Sequence, residues 1–387
     1  MTRTLNLIAF VVFASALFTR STDPIIPPIA AGLSVEASTA ALLATAFTLP
    51  YALIQPVLGA LADTMNKTRL MLLCMFVLTA ASVASSFAVN FEMLLTARVI
   101  AGLAAGGVVP ISFAIVGDLV PVAQRQVAMG RLLFAIMTGN LLGATLGGVI
   151  GDLFGWRAVF LGVGAVGAIV LLVAVPAFRS VVEQPKKFDL STLGPNYRTI
   201  FSNPLAKICF GAVFFEALFM YGVFPYIATL LHQAGETRAS IAGIIIAGFG
   251  IGGAIYGLTI SRILPWTGET KLMRAGGLIM GLCLVVTALR LPWPIEFVNF
   301  IVLGLGFYFL HAVIQIYASE LAPAARGTAL ALHSFFFFLG HAAGPIVYGA
   351  GLATIGIAPV LYVGAGVLAA VGLICARYLR RPASLTV

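Results

Sequence analysis

The chain contains 387 residues, of which 61% are hydrophobic and 9% are charged, and its formal net charge is +9. A soluble globular domain carries about a quarter charged residues, so this composition excludes a large soluble protein and indicates one embedded in a membrane. The basic balance by itself would also suit a nucleic-acid-binding protein, and the distribution of the charges decides between the two.

The hydropathy pattern predicts an all-α membrane protein. A bilayer core needs about 20 apolar residues per helix, and segments of that length follow one another with only short turns between them. In chain order the twelve predicted spans are approximately residues 5–31, 38–62, 69–89, 92–117, 127–151, 156–178, 204–230, 238–262, 270–289, 294–318, 327–352 and 356–376.

Lysine and arginine are distributed unevenly between the two sides of this predicted bundle. With the amino terminus placed in the cytoplasm, seventeen of them lie on the cytoplasmic side and three, Arg157, Arg238 and Arg290, lie opposite. Cytoplasmic loops of membrane proteins carry such an excess. We therefore expect an integral protein of the bacterial inner (plasma) membrane with both termini in the cytoplasm, and no nucleic-acid partner.

The second half of the chain repeats the first at a spacing near 200 residues. Asp23-x-x-x-Pro27 in span 1 returns as Tyr221-x-x-x-Pro225 in span 7, and a glycine row in span 5 returns in span 11. Parallel repeats of this kind are a common transporter plan. We predict two six-helix bundles related by pseudo-two-fold symmetry, residues 1–178 and 204–387, joined by a cytoplasmic linker at 179–203.

The turn after span 2 carries a compact motif of glycine, leucine, aspartate and basic residues. Its positions are Gly59, Leu61, Asp63, Lys67 and Arg69. This motif resembles the signature loop of the major facilitator superfamily, G-x-L-x-D followed by basic residues, with Thr64 and Asn66 in place of a basic residue and a glycine of that pattern.

The glycine row of span 5 is similar to the antiporter signature of the same family, with Ala144 in place of proline. This resemblance implies the major facilitator fold and, within it, the twelve-helix drug:proton antiporter branch. The rows expected to let helices pack closely are Gly139, Gly143, Gly147 and Gly148 in span 5 and Gly340, Gly344 and Pro345 in span 11.

The signature loop places a carboxylate among cations at the cytoplasmic face. Asp63 closes span 2, where it can pair with Lys67, Arg69 or Arg131. A charge cluster that forms in one conformation and breaks in another acts as a latch, whereas exposed pairs that only set topology would contribute under about 1 kcal/mol. We favour a conformational latch that includes Gly59.

Four ionisable residues lie inside predicted spans: Arg20, Asp23, Arg98 and Glu216. Such residues are costly in a bilayer and tend to mark a substrate or ion pathway. The resemblance implies that spans 1, 4, 7 and 10 line the central path, and these four residues lie on three of those spans. Asp23 and Arg98 lie at similar depth, which favours an Asp23–Arg98 pair, with Arg20 as a competing partner; a purely structural ion pair is the alternative.

Glu216 has no cation nearby in the sequence, and span 10 offers it partners. Tyr308, His311 and Gln315 share one helix face at 3–4 spacing, and Tyr51 and Gln55 form a similar stripe in span 2. We predict that Glu216, Asp23 and His311 carry protons. The predicted substrate-binding residues are Arg20, Arg98, Tyr51, Gln55, Tyr221, Tyr308 and Gln315.

The sequence contains no phosphate loop, no nucleophile beside a base and no His/Cys metal cluster, so we expect neither an enzyme nor a bound cofactor or metal. The first hypothesis is a monomeric secondary transporter that exports small amphipathic organic compounds in exchange for protons across the lipid bilayer. An organic-anion or metabolite carrier with Arg20 and Arg98 as an anion clamp, and a lipid or lysolipid transporter, remain alternatives. A non-transporting membrane sensor is the hypothesis outside transport, and the short loops argue against it.

Overall fold

The computed structural model describes residues 2–178 and 193–379, and all regular structure within them is helical. Apart from three short 3-10 turns described below, the helices are α1 Thr2–Arg20, α2 Ile26–Leu33, α3 Ala37–Thr64, α4 Lys67–Ser86, α5 Phe91–Leu119, α6 Val122–Phe154, α7 Trp156–Phe178, α8 Leu193–Ser202, α9 Leu205–Tyr221, α10 Ile227–Gln233, α11 Ala239–Ala288, α12 Trp293–Glu320, α13 Arg326–Thr354 and α14 Ile357–Tyr378.

The long helices match the predicted spans. Within the described residues, 11 helical segments are long and apolar enough to cross a membrane. The longest, α11, runs for 50 residues but leaves helical geometry at Gly268, where φ is 71°. Because positive φ suits glycine, the chain bends there, and α11 accounts for both predicted spans 8 and 9.

Two of the spans are interrupted at equivalent places in the two repeats. After α1 the chain forms a 3-10 turn at Asp23–Ile25 before α2 begins, and after α9 it forms a 3-10 turn at Phe224–Tyr226 before α10 begins. Proline disfavours helical geometry in the residue before it and lacks a backbone donor, so Pro24 and Pro225 favour these interruptions. The third 3-10 turn, Pro323–Ala325, precedes α13.

The described residues form two compact units. The first contains residues 2–178 together with Phe224–Ala247, and the second contains residues 193–223 and 248–379. The predicted boundaries at 178 and 203 remain a prediction. Residues 179–192 of the predicted linker lie outside the described part of the chain, and the rest of that linker forms α8 and the turn after it.

Glycine rows bring helix backbones close together within each unit. In the first unit the row on α6 lies against α1 and Ser21 just after it, so that added Cβ atoms would clash with backbone carbonyl oxygens there. In the second unit the row on α13 lies against α9 in the same way. The contacts are Gly139 with Phe13, Gly143 with Leu17, Gly147 with Ser21, Gly340 with Phe214 and Gly344 with Leu218. The repeat in the sequence is thus a repeat in packing.

Candidate functional site: two buried charge clusters

The first cluster is an ion pair at the interruption between α1 and α2. Nη1 of Arg20 donates to Oδ2 of Asp23 at 3.1 Å, and the two residues are 7% and 3% exposed. Asp23 opens the 3-10 turn three residues after Arg20, which is the last residue of α1. The helix break therefore keeps both side chains on one side of the chain and inside the unit.

Arg98 contributes to this cluster by its electrostatic interaction with Asp23, without a hydrogen bond to that carboxylate. Its guanidinium lies 4.2 Å from the ring centroid of Phe47 on α3, and it interacts electrostatically with Asp23. The sequence favoured Asp23–Arg98 as the pair, whereas the hydrogen-bonded partner of Asp23 is Arg20. Arg20 forms the hydrogen bond because it is held three residues from Asp23 on the same chain segment. Arg98 projects from α5 and stacks on Phe47 instead.

Residues 224–247 complete the surroundings of this cluster within the first unit. The Arg20 guanidinium lies 4.7 Å from the centroid of the Phe224 ring, so both arginines of the cluster face an aromatic ring. A cation over an aromatic face gains about 0.5 to 2 kcal/mol, more where water is excluded. Neither phenylalanine was singled out from the sequence, because neither carries a charge or a motif.

The polar stripe of α3 lies in the same unit. Tyr51 is buried, stacks at 6.2 Å on Phe47 and hydrogen-bonds to Gln55. Through Phe47, this predicted binding stripe is linked to Arg98.

The second cluster is a carboxyl group and an imidazole inside the second unit. Oε2 of Glu216 on α9 lies 2.8 Å from Nδ1 of His311 on α12. Glu216 is fully buried, whereas 15% of the His311 side chain is exposed. The two groups that the sequence assigned to proton transfer are therefore in direct hydrogen-bond contact.

Aromatic rings enclose His311. Phe307 stacks on it with centroids 4.6 Å apart, and Phe337 of α13 lies 5.1 Å away. A further histidine, His333 on α13, has its ring centroid 5.1 Å from that of His311. His333 is not among the predicted site residues, since nothing along the chain indicates which helix it faces.

The other predicted substrate-binding residues of the second unit separate into two environments. Tyr221 lies in an aromatic cluster with Phe249, Phe307, Phe337 and His341, with centroid distances of 4.9 to 5.7 Å. Tyr308 stacks on Tyr256 at 5.6 Å, and Gln315 is exposed. The predicted stripe of α12 therefore meets this aromatic cluster through Tyr308 and His311.

The predicted latch is described only in part. Lys67 pairs with Asp118 at the end of α5, a partner that the sequence did not assign to it. Gly59 and Asp63 belong to α3, but their surroundings lie outside the described residues, so the Asp63 pairing remains a prediction. Arg69 and Arg131 are exposed, and Arg131 lines a cavity of about 550 Å³ with aromatic residues of α1 and α6.

Asp152, near the end of α6, makes a contact that the sequence did not reveal. Its two carboxylate oxygens accept hydrogen bonds from the backbone N–H groups of Ala239 (2.7 Å) and Ser240 (2.9 Å), the first residues of α11. A carboxylate at a helix N-terminus accepts hydrogen bonds from backbone N–H groups that have no partner within the helix. Its negative charge also interacts favourably with the positive end of the helix dipole. In the turn just before, Arg238 hydrogen-bonds to Glu236 and holds the pKa of that carboxyl down at about 2.

Within the described residues no three His, Cys, Asp or Glu side chains converge as a metal site. Long apolar helices that enclose paired ionisable groups are typical of α-helical integral membrane transporters.

Comparison with known proteins identifies the family. The Major Facilitator Superfamily model matches residues 8–294 and again residues 209–386, so the chain belongs to this superfamily of membrane transporters. It is 26% identical over 342 residues to the quinolone resistance protein NorA of Staphylococcus aureus, covering 84% of each chain. It is 24% identical over 336 residues to multidrug resistance protein 1 of Bacillus subtilis, again covering 84% of each.

Solved structures agree on the fold. A bacterial homologue of the human lysosomal transporter Spinster, in an inward-facing and unoccupied conformation, superposes with a TM-score of 0.74 at 19% identity, covering 97% of this chain and 95% of that one. The POT family transporter PepTSo superposes with a TM-score of 0.80 at 13% identity, covering 98% of each.

Proposed function

We propose that this protein exports small amphipathic organic compounds in exchange for protons by alternating access. The observation that carries the proposal is the contact between Glu216 and His311, 2.8 Å apart inside the second unit. A carboxyl and an imidazole in contact can share one proton, and they can bind or release it when water reaches the partly exposed imidazole. Asp23, paired with Arg20, is proposed as a second proton-binding group.

The relatives support the class of substrate. The names of two of them specify quinolone resistance and multidrug resistance, which point to transport of organic compounds out of the cell. The aromatic cluster around Tyr221 in the same unit as Glu216 suits flat, amphipathic molecules, and a carboxylate beside aromatic rings suits cations.

We further propose that the protein works as a monomer in the bacterial plasma membrane, with both termini in the cytoplasm and substrate and protons as its partners. The excess of lysine and arginine on one side of the spans supports this orientation.

The test is proton-driven transport by purified protein in liposomes. With an imposed pH gradient, the wild-type protein is expected to accumulate a cationic dye such as ethidium, and Glu216→Gln is expected to lose this coupled uptake by at least about a hundredfold. Glu92→Gln, which changes an exposed carboxylate in the first turn of α5, is the control. Full coupled uptake by Glu216→Gln would reject the proposal.

An organic-anion carrier is the second candidate, and one observation favours it. Arg98 is 3% exposed, and its Nε has no hydrogen-bond partner within the described part of the chain. A buried guanidinium with an unused donor can bind a carboxylate or phosphate of a substrate.

The anion candidate makes the opposite prediction for the same liposomes. If Glu216→Gln transports normally while Arg98→Gln and Arg20→Ala abolish uptake of a radiolabelled aromatic carboxylate such as benzoate, the anion carrier is correct. Dye uptake that depends on Glu216, with no benzoate uptake by the wild type, rejects it.

A further inference from the structure

His333 is a buried imidazole whose hydrogen-bonding capacity is not satisfied. It is 1% exposed, and within the described residues its Nε2 has no hydrogen-bond partner. A buried polar atom without a partner costs about 1 to 3 kcal/mol, which an apolar side chain at this position would avoid. The cost calls for an explanation beyond packing.

The position of His333 supplies one. Glu216 lies eleven residues into α9, His311 nine residues before the end of α12, and His333 seven residues into α13. At 1.5 Å per residue these positions are about 16, 13 and 10 Å from the ends of their helices on the predicted cytoplasmic side, where Lys207 and Arg326 lie. The three groups therefore form a descending series towards that basic side.

Contacts link the series in the same order. His311 lies between the other two, with Glu216 hydrogen-bonded to its Nδ1 and the His333 ring 5.1 Å from its own. His311 interacts electrostatically with His333, and the thiol of Cys375 interacts with both Glu216 and Cys209. The phenyl rings of Phe307 and Phe337 cover other sides of His311, so the second imidazole offers it a polar neighbour inside an otherwise apolar wall.

We infer that His333 is the exit relay for the proton that Glu216 carries, an inference that rests on the proposed proton-coupled function. In this relay the protonated carboxyl of Glu216 gives its proton to Nδ1 of His311, which becomes imidazolium. His311 then gives the proton on its Nε2 to the free Nε2 of His333. His333 releases a proton to water on the basic side, and charge is conserved at each transfer.

The relay is tested by separating proton coupling from substrate movement. In proteoliposomes, pH-gradient-driven ethidium uptake requires net proton transfer, whereas counterflow exchange of ethidium without a gradient does not. Driven uptake by His333→Asn and by His333→Gln is expected to be at least about tenfold slower than by the wild type. Their counterflow is expected to stay within about twofold of wild type. The pH dependence of driven uptake should also flatten.

Tyr348→Phe is the matched control. It removes a buried hydrogen bond of 2.8 Å from the same helix, α13, to the carbonyl of Phe219 on α9. This variant tests the effect of lost stability in α13, because it changes none of the three residues of the relay. Any decrease in driven uptake is therefore expected to be matched by an equal decrease in counterflow.

Two results would overturn the relay: wild-type driven uptake by both His333 variants, or an equal loss of driven uptake and counterflow, which would show a structural role. If Glu216→Gln is uncoupled while both His333 variants couple normally, the relay fails and the proposed function stands. If the wild type shows no driven uptake, both fail.

Discussion

Arg20 and Asp23 show how a charged residue is kept inside this protein: its partner is placed three residues away, at a helix break. Removing one member of a buried pair leaves the other uncompensated, so we expect Asp23→Asn to lower the free energy of unfolding by about 3 to 5 kcal/mol. The double variant Arg20→Gln/Asp23→Asn is expected to lose less than the sum of the single variants. Thermal and denaturant unfolding of the purified protein in detergent gives the double-mutant cycle.

Glu92→Gln is the control for that cycle, since Glu92 is an exposed carboxylate. Additive single and double variants would show that Arg20 and Asp23 are not coupled, and would transfer the role of partner to Arg98.

At the scale of residues, the sequence predicts which charged side chains are buried better than it predicts their partners. The four membrane-embedded charges follow from hydropathy alone, because each interrupts an apolar run. Two of the pairings do not follow. Arg98 on α5 stacks on Phe47 of α3. His333 on α13 contacts His311 of α12. Both depend on how the helices are rotated against one another, and spacing along one helix does not determine that rotation.

At the scale of helices, the glycine row of α6 sets how closely α6 approaches α1. A Cβ at Gly143 would lie 2.6 Å from the carbonyl oxygen of Leu17, whereas a Cβ at Gly130 on the same helix would meet nothing within 4 Å. We therefore expect Gly143→Ala to lower the free energy of unfolding by about 1 to 3 kcal/mol. Gly130→Ala, the matched control, is expected to be neutral or to stabilise by up to about 1 kcal/mol.

Unfolding curves of the two alanine variants decide the point. Equal stability of Gly143→Ala and Gly130→Ala would mean that α1 and α6 move apart without cost, and that the row does not fix their distance.

The interruptions within spans 1 and 7 have a local cause in the sequence, although the predicted spans were drawn as continuous helices. Proline at Pro24 and Pro225 indicates where α1 and α9 end, because the effect is local to the backbone. The break between predicted spans 8 and 9 lies at Gly268, where the backbone leaves helical geometry. The hydropathy pattern predicts two spans here, but it does not indicate that a single glycine takes up the bend between them.

For the whole molecule, the predicted two-bundle plan rests on the sequence repeat, and the predicted orientation rests on the charge distribution. The repeated motifs correspond to repeated packing, α6 on α1 and α13 on α9, and the span count follows from hydropathy. The grouping of Phe224–Ala247 with the first unit did not follow from the repeat. It depends on contacts such as Arg20 with Phe224 and Asp152 with the start of α11, which join residues far apart in the chain.

The orientation of the molecule is its most direct large-scale prediction, because it follows from charge and can be tested with thiol chemistry. The four native cysteines are buried, which makes the wild type the unlabelled control. Thr237, before α11, and Gln124, near the start of α6, are exposed and lie on opposite predicted sides. In intact cells a membrane-impermeant maleimide is expected to label Thr237→Cys at once, and Gln124→Cys only after the membrane is permeabilised. The reverse pattern would invert the molecule and would place the basic side, and with it the exit of the proposed proton relay, outside the cell.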